Sequence, residues 1–134
     1  MTADHGMVDV GAGDRVDADR RPELRDGVAL LGGEPRARHV YARPGAADDV
    51  LASWRELLAG AAWVVSREEA IDQGWFGPVG PGRADRIGDV VAACTGAWAV
   101  VATGAEARES ALVGMHGSLA SADQLVPLLP YRQG

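Results

Sequence analysis

The chain has 134 residues and a formal net charge of −6, and its thirteen basic residues are all arginine. Such an acidic chain argues against a nucleic acid polymer as partner, because phosphate binding is driven by cationic side chains that release counterions. The length fits one domain, no stretch approaches the roughly 18 apolar residues of a membrane span, and no signal peptide opens the chain, so we expect a cytoplasmic protein with no membrane partner.

Near the start of the chain, Asp4 and His5 are adjacent and are followed by Gly6. Carboxylate oxygen and imidazole nitrogen are ligands that zinc and manganese accept, and glycine lets the backbone approach an ion closely. Neighbouring residues of a strand point to opposite faces. Both side chains therefore reach one ion only if a strand ends at Asp4 and the chain turns through Gly6.

Residues 8–21 are rich in aspartate, arginine and glycine and predict a surface loop. Residues 38–41 have the β-branched and aromatic content of a strand, and residues 46–58 place their apolar side chains on one helical face. Residues 62–65 predict another short strand. Before these elements, residues 1–34 are interpreted as the start of the metal motif, followed by its acidic loop.

A capping box, Ser66 with Glu69, predicts a helix that ends near Gly74. Residues 35–80 would then form a small strand–helix–strand–helix lobe. The loop after this helix contains Trp75 and Phe76, two rings able to stack on a base, although aromatic residues in such loops more often pack against their own lobe.

Residues 81–134 are predicted to return the chain to the main sheet. Residues 87–94 and 98–103 have the apolar density of two strands, which we expect to form an antiparallel pair. A polar loop at residues 105–110 leads to His116, which lies between glycines and is a candidate metal ligand. Ser121 and Gln124 predict a capping box that opens a closing helix through Leu129.

Two other reactive side chains receive no functional role. His39 alternates with Ala37 and Tyr41 on a predicted strand and has no acidic residue or second histidine near it in sequence. The single cysteine, Cys94, excludes an internal disulfide and lies in an apolar run, which predicts a buried, inert thiol.

Short strings of residues, in unbroken order from residue 2 to about residue 129, resemble the C-terminal portion of bacterial type I phosphodiesterase/nucleotide pyrophosphatases of the alkaline phosphatase superfamily. Their order and spacing make the resemblance specific, whereas Asp-His-Gly alone would be weak. The implied fold is α/β, a partial alkaline-phosphatase-like fold containing the C-terminal part of a mixed sheet. The strings are Thr2-Ala3-Asp4-His5-Gly6-Met7, Pro22-Glu23-Leu24, Gly32-Gly33-Glu34-Pro35-Arg36, Gly74-Trp75-Phe76-Gly77, Gly88-Asp89-Val90-Val91, His116-Gly117-Ser118 and Asp123-Gln124-Leu125-Val126-Pro127.

The resemblance implies a two-metal hydrolase of phosphoester or phosphoanhydride bonds, with a small phosphoester or nucleotide as substrate. Asp4 and His5 match the ligand pair of one ion, and His116 matches the late histidine of the other. Zinc is the expected metal and manganese the alternative. Such ions lower the pKa of the nucleophile and stabilise the oxygens that attack and leave at phosphorus.

The nucleophilic Ser or Thr and the remaining ligands have no match in these residues, so no catalytic nucleophile is assigned and the chain alone is expected to be inactive. It would be a truncated product, a mis-started reading frame or one half of a split enzyme. A phosphomonoesterase or sulfatase relative also remains open. The alternative from another class is a non-catalytic α/β binding or interaction module with remnant metal ligands.

Two structural expectations follow from the resemblance. The rings of His5 and His116 should lie within about 10 Å of each other, because their ions adjoin. Residues 90–94 and 100–102 should lack neighbours that a missing N-terminal half would supply. The chain would then self-associate or need that half as a partner.

Overall fold

A computed structural model describes residues 1–132 and shows a mixed α/β fold. Three short 3-10 turns accompany the regular elements. The strands are β1 (Val8–Asp9), β2 (Arg15–Asp17), β3 (Val28–Glu34), β4 (Ala37–Ala42), β5 (Ala62–Ser66), β6 (Val90–Cys94), β7 (Ala99–Val101) and β8 (Gly114–Met115). The helices are α1 (Pro22–Arg25), α2 (Ala47–Leu57), α3 (Arg67–Asp72), α4 (Ala107–Ser110) and α5 (Ser121–Gln124).

The largest sheet is four-stranded and antiparallel, in the order β3-β4-β6-β5. One of its faces packs on α2, whose Val50 and Trp54 are buried together with Leu58 at the helix end. Burial of an aliphatic side chain such as that of Val50 or Leu58 stabilises the fold by about 1.5–3 kcal/mol. The Trp54 indole N–H donates to the carbonyl of Leu24, which joins α2 to α1.

Local signals identified several elements correctly. The strands predicted at residues 38–41 and 62–65 and the helix predicted at residues 46–58 are β4, β5 and α2. The Ser66 hydroxyl accepts from the Glu69 N–H while the Glu69 carboxylate accepts from the Ser66 N–H. The predicted capping box therefore opens α3, as expected.

The segments predicted as a lobe and as a return to the main sheet share one sheet. β4 and β5, from residues 35–80, pair with opposite edges of β6, from residues 81–134. The other face of this sheet is covered in part by α3 and the loop that follows it, where Ile87 and Val91 are buried. The two segments thus enclose a common layer of side chains.

The predicted antiparallel pair of residues 87–94 and 98–103 is wrong. β7 pairs in parallel with β2, so residues 8–21 contribute strands and are not only the predicted surface loop. The carbonyls of Trp98 and Val100 accept from the buried guanidinium groups of Arg36 and Arg38. These arginines occupy the hydrogen-bonding groups that a hairpin partner would need.

The C-terminal predictions also need correction. The predicted closing helix through Leu129 is a single turn, α5, whose N-cap residue is Ala120 and which has no side-chain cap. The chain becomes extended at Leu125, and Pro127 could not donate the backbone hydrogen bond that would continue the helix. Part of the loop predicted at residues 105–110 is helical, as α4.

The expected shortage of neighbours around β6 and β7 is also wrong. Residues 90–94 and 100–102 are at most 2% exposed, because β4, β5 and β2 flank them. Exposed apolar residues lie instead near the ends of the chain, where Met1 and Leu129 exchange two backbone hydrogen bonds of 2.8 Å. Leu30 and Trp63, on the edge strands β3 and β5, are also exposed, and self-association stays a prediction.

Within residues 1–132, no helix combines the length and the apolar character needed to cross a lipid bilayer.

Candidate metal site

The two candidate histidines lie in direct contact. The rings of His5 and His116 stack with centroids 3.6 Å apart and planes 11° from parallel, so the expected separation within about 10 Å is confirmed. The short sheet of β1 and β8 produces this contact, since its antiparallel register pairs Val8 with Met115. The residues before β1 therefore adjoin those after β8.

Hydrogen bonding fixes the tautomer of His5. Its Nδ1 lies 2.6 Å from the carbonyl oxygen of Gly6. A carbonyl can only accept, so Nδ1 carries the proton and the lone pair is on Nε2. Metal-bound histidines are oriented by the same kind of contact to a backbone carbonyl. The nitrogen of His5 that is free of this contact, and so available as a potential ligand, is Nε2.

Asp4 lies where it can share an ion with His5. The chain bends at these two residues, as the motif requires, although no strand precedes Asp4 within residues 1–132. The Oδ1 of Asp4 lies 3.8 Å from Nε2 of His5, within the roughly 4 Å that two ligands about 2 Å from one ion can span. The Asp4 side chain is 91% exposed.

The ligand set is incomplete within the part of the chain that the structure describes. No group of three or more His, Cys, Asp or Glu side chains is gathered there in an arrangement suited to an ion. A catalytic zinc ion usually takes three protein ligands and keeps one position for water or substrate. Asp4, His5 and His116 therefore do not amount to a complete metal site within the described residues.

Asp123, to which sequence analysis gave no role, ties the two histidine loops together. Its carbonyl oxygen accepts from the N–H of Gly6, at 2.8 Å, and its Oδ1 accepts from the N–H of Ser118, at 3.1 Å. One bond therefore holds the residue after His5, and the other holds the loop that follows His116. Asp123 is a positioning residue for both rings.

A buried arginine holds Asp123 in turn. Arg36 is fully buried and donates from Nε and Nη2 to the two carboxylate oxygens of Asp123, at 2.9 and 2.8 Å. This bidentate geometry is the strongest that an arginine makes with a carboxylate. The sequence signal was present in the Gly32–Arg36 and Asp123–Pro127 strings, but no local pattern joins residues so distant in sequence.

Two glycines are required beside the histidines. A Cβ at Gly6 would lie 1.9 Å from the carbonyl oxygen of Ala122, so a side chain would push the His5 loop away from α5. Gly117 has φ of +113°, a conformation that favours glycine, and a Cβ there would lie 3.1 Å from Cβ of Glu34. The close stacking of the rings depends on both positions.

Two residues with nucleophilic side chains near the rings are not available as nucleophiles. Ser118 is fully buried, and its hydroxyl donates to the carbonyl of Cys94. Burial raises the pKa of the Cys94 thiol to about 11, so the thiolate is scarce at neutral pH. The inert, buried thiol expected for Cys94 is confirmed, and its sulfur contacts the carbonyl of Pro35.

The third histidine lies apart from the stacked pair. Nδ1 of His39 accepts from the N–H of Gly88, at 3.1 Å, which leaves the proton on Nε2. Burial lowers the pKa of His39 below its ordinary value, so the ring is neutral at pH 7. Its ring contacts Phe76 at a centroid distance of 5.4 Å.

The fold is similar to those of solved hydrolases, while no curated protein matches the sequence. Human ectonucleotide pyrophosphatase/phosphodiesterase 5 aligns with 87% of this chain and 28% of its own, with a TM-score of 0.64 and 20% identity. An inactive murine form of that protein, in complex with AMP, aligns with 93% of this chain and 31% of its own, with a TM-score of 0.65 and 20% identity. Phosphonoacetate hydrolase from Sinorhizobium meliloti 1021 aligns with 94% of this chain and 34% of its own, with a TM-score of 0.64 and 23% identity.

These likenesses confirm the expected partial alkaline-phosphatase-like fold, and the chain spans about a third of the length of each solved relative. The family model described as type I phosphodiesterase / nucleotide pyrophosphatase matches residues 1–119, most of the chain. The match includes Asp4, His5 and His116. The chain therefore belongs to the type I phosphodiesterase/nucleotide pyrophosphatase family.

Proposed function

We propose that this chain is the part of a two-metal phosphodiesterase or nucleotide pyrophosphatase that carries Asp4, His5 and His116 as ligands. The observation that carries the proposal is the stacking of His5 on His116, residues more than a hundred positions apart in sequence. The ring spacing of 3.6 Å lies well within the roughly 10 Å that histidine ligands of two adjoining ions can span.

Each side chain has a distinct role in this proposal. Asp4 and His5 hold one ion through Oδ1 and Nε2, and His116 belongs to the second ion. When bound, the ions activate the nucleophile and stabilise negative charge on the oxygens at phosphorus. The Gly6 carbonyl orients His5, while Asp123 holds both loops, so the protein orders these ligands before an ion arrives.

The nucleophile and the remaining ligands would come from a segment outside these 134 residues. Support for this comes from the two-residue ligand set for the first ion and from the one-third coverage of the solved relatives. The chain alone would then bind metal weakly and not hydrolyse substrate. Zinc is the proposed metal, with manganese as the alternative, and the AMP complex of the murine relative supports a small nucleotide substrate.

Manganese titration of the isolated chain, followed by NMR of the histidine ring protons, tests the assignment of ligands. A paramagnetic ion broadens nearby resonances even at low occupancy, so a weak, incomplete site still gives a signal. We expect the His5 and His116 resonances to broaden first. His39 serves as the internal control, because its Nδ1 is already bonded to the N–H of Gly88.

Replacing Asp4 with Asn is expected to require more manganese for the same broadening, because a carboxylate ligand is lost. A matched control is Asp48→Asn, an exposed carboxylate at the start of α2. Equal broadening of all three histidines, or broadening unchanged by Asp4→Asn, would contradict the proposed site.

A further inference from the structure

The residues that follow α5 form an extended segment with two prolines. Residues 125–132 are in neither a helix nor a strand, and each of them is exposed. Their sequence is Leu-Val-Pro-Leu-Leu-Pro-Tyr-Arg. We propose that this proline segment binds a protein domain that recognises polyproline II helices, in a groove lined by aromatic side chains with a carboxylate at one end. The inference does not depend on the proposed function.

The backbone of the proline segment is restricted to polyproline II geometry. Leu125 has φ of −78° and ψ of 131°, close to the polyproline II values of about −75° and about +145°. The rings of Pro127 and Pro130 fix φ at about −65°, and the residue before each proline is restricted to extended conformations. A ligand that is already ordered loses less conformational entropy on binding. The segment is therefore preorganised for such a partner.

The side chains repeat with the period that a polyproline II groove recognises. This helix has about three residues per turn and a rise of about 3.1 Å per residue, so positions three apart share one edge. In this geometry Pro127 and Pro130 lie on one edge, about 9 Å apart, and Val126, Leu129 and Arg132 lie on the next. Each proline directly follows an aliphatic residue. The segment thus offers two successive aliphatic–proline pairs to an aromatic groove.

Arg132 gives the segment a charge at one end. It is exposed, it lies two positions after Pro130, and it is the only charged residue in the segment. A guanidinium group binds a carboxylate through two parallel hydrogen bonds, so a carboxylate at one end of the groove would fix the direction in which the segment lies. Charge complementarity therefore favours a partner with an acidic pocket beside its aromatic groove.

The rest of the protein leaves the proline segment accessible. Leu128 is 77% exposed and Tyr131 is 86% exposed. The N–H and the carbonyl of Leu129 are bonded to Met1, but Met1 is itself 84% exposed, so this contact does not bury the segment. The two prolines have no N–H to donate, which disfavours pairing of the segment as a β-strand with a second copy of the chain.

Titration of the isotope-labelled 134-residue chain with an SH3 domain that selects ligands with arginine after the second proline tests this inference. NMR shifts of the labelled chain are the readout. We expect the amide resonances of Leu128 and Tyr131 to shift, and the ring resonances of His5 and His116 to stay in place. The same ring resonances show whether each variant remains folded.

Two variants test the groove contacts and the charge separately. Pro127→Ala combined with Pro130→Ala should weaken binding about tenfold or more, because it removes both rings and the preorganisation. Arg132→Gln keeps a long polar side chain but removes the charge, and should weaken binding about fivefold or more. The matched controls are Pro44→Ala and Arg20→Gln, at exposed residues outside the segment, and both should leave the affinity unchanged.

The inference is overturned if the SH3 domain causes no shifts at millimolar concentration, if the shifts spare residues 125–132, or if the double proline variant binds as tightly as the original chain. A double proline variant that changes the sedimentation of the chain but not its affinity for the SH3 domain would also overturn it, because the segment would then contact a second copy.

Discussion

Replacing Arg36 with Gln is expected to lower the free energy of unfolding by about 3–5 kcal/mol, because the Asp123 carboxylate would stay buried without its charged partner. Both side chains are almost fully inaccessible to water and are joined by two hydrogen bonds. The free energy of unfolding of a small domain is about 5–15 kcal/mol, so such a loss is a large part of the total. Equilibrium unfolding in urea, with the dependence of the free energy on urea concentration fitted for each variant, measures this loss.

The control is the same substitution at an ion pair whose arginine is exposed. Arg20 is 82% exposed and lies 3.4 Å from Asp17, so Arg20→Gln should cost less than about 1 kcal/mol. Equal costs for the two substitutions would show that the Arg36–Asp123 pair does not hold the fold together. A second readout is the His5 and His116 ring resonances, which should shift in Arg36→Gln and not in Arg20→Gln.

In an enzyme in which this chain is joined to the proposed additional segment, replacing His116 or His5 with Ala is expected to lower kcat/KM by more than about a hundredfold. Replacing a residue that contacts a metal ligand, and not the metal itself, already lowers metal affinity or activity by about 10–100-fold. Loss of the ligand itself should therefore cost more. The double replacement should cost little more than either single one, because ligands that serve one two-metal site act as a unit.

The exposed carboxylate Asp48 again provides a control, since Asp48→Asn lies on α2 and touches neither ring. Its kcat/KM should equal that of the original enzyme. If the effects of His5→Ala and His116→Ala were instead small and additive, the two rings would not belong to one site, and the proposal would fail at that point.

Local sequence signals identified the elements whose stabilising contacts lie within a few residues. The Ser66–Glu69 capping box and the apolar face of α2 are examples, since each depends on spacings of three or four residues. The same reasoning failed at β7. Residues 87–94 and 98–103 were expected to pair with each other, but β7 pairs with β2, more than eighty residues earlier in the chain.

The candidate site was likewise predicted in part and missed in part. Asp4, His5 and His116 were singled out because the resemblance carries them, and the contact between the two rings followed from that resemblance. The clamp of Arg36 on Asp123 was missed, because an arginine in the turn between two strands and an aspartate in a one-turn helix are usually solvent-exposed. Only the packed structure shows that both are buried and therefore paired.

The most direct test of the central claim is hydrolysis of bis(p-nitrophenyl) phosphate by the purified 134-residue chain with zinc or manganese, alone and joined to a segment that carries the proposed nucleophile and remaining ligands. Our account predicts no turnover above a His116→Ala control for the chain alone, because we propose that the nucleophile comes from that segment, and metal-dependent turnover once the segment is present. Robust turnover by the chain alone would contradict it, since Ser118, the nearest hydroxyl in sequence to His116, is buried and bonded to Cys94.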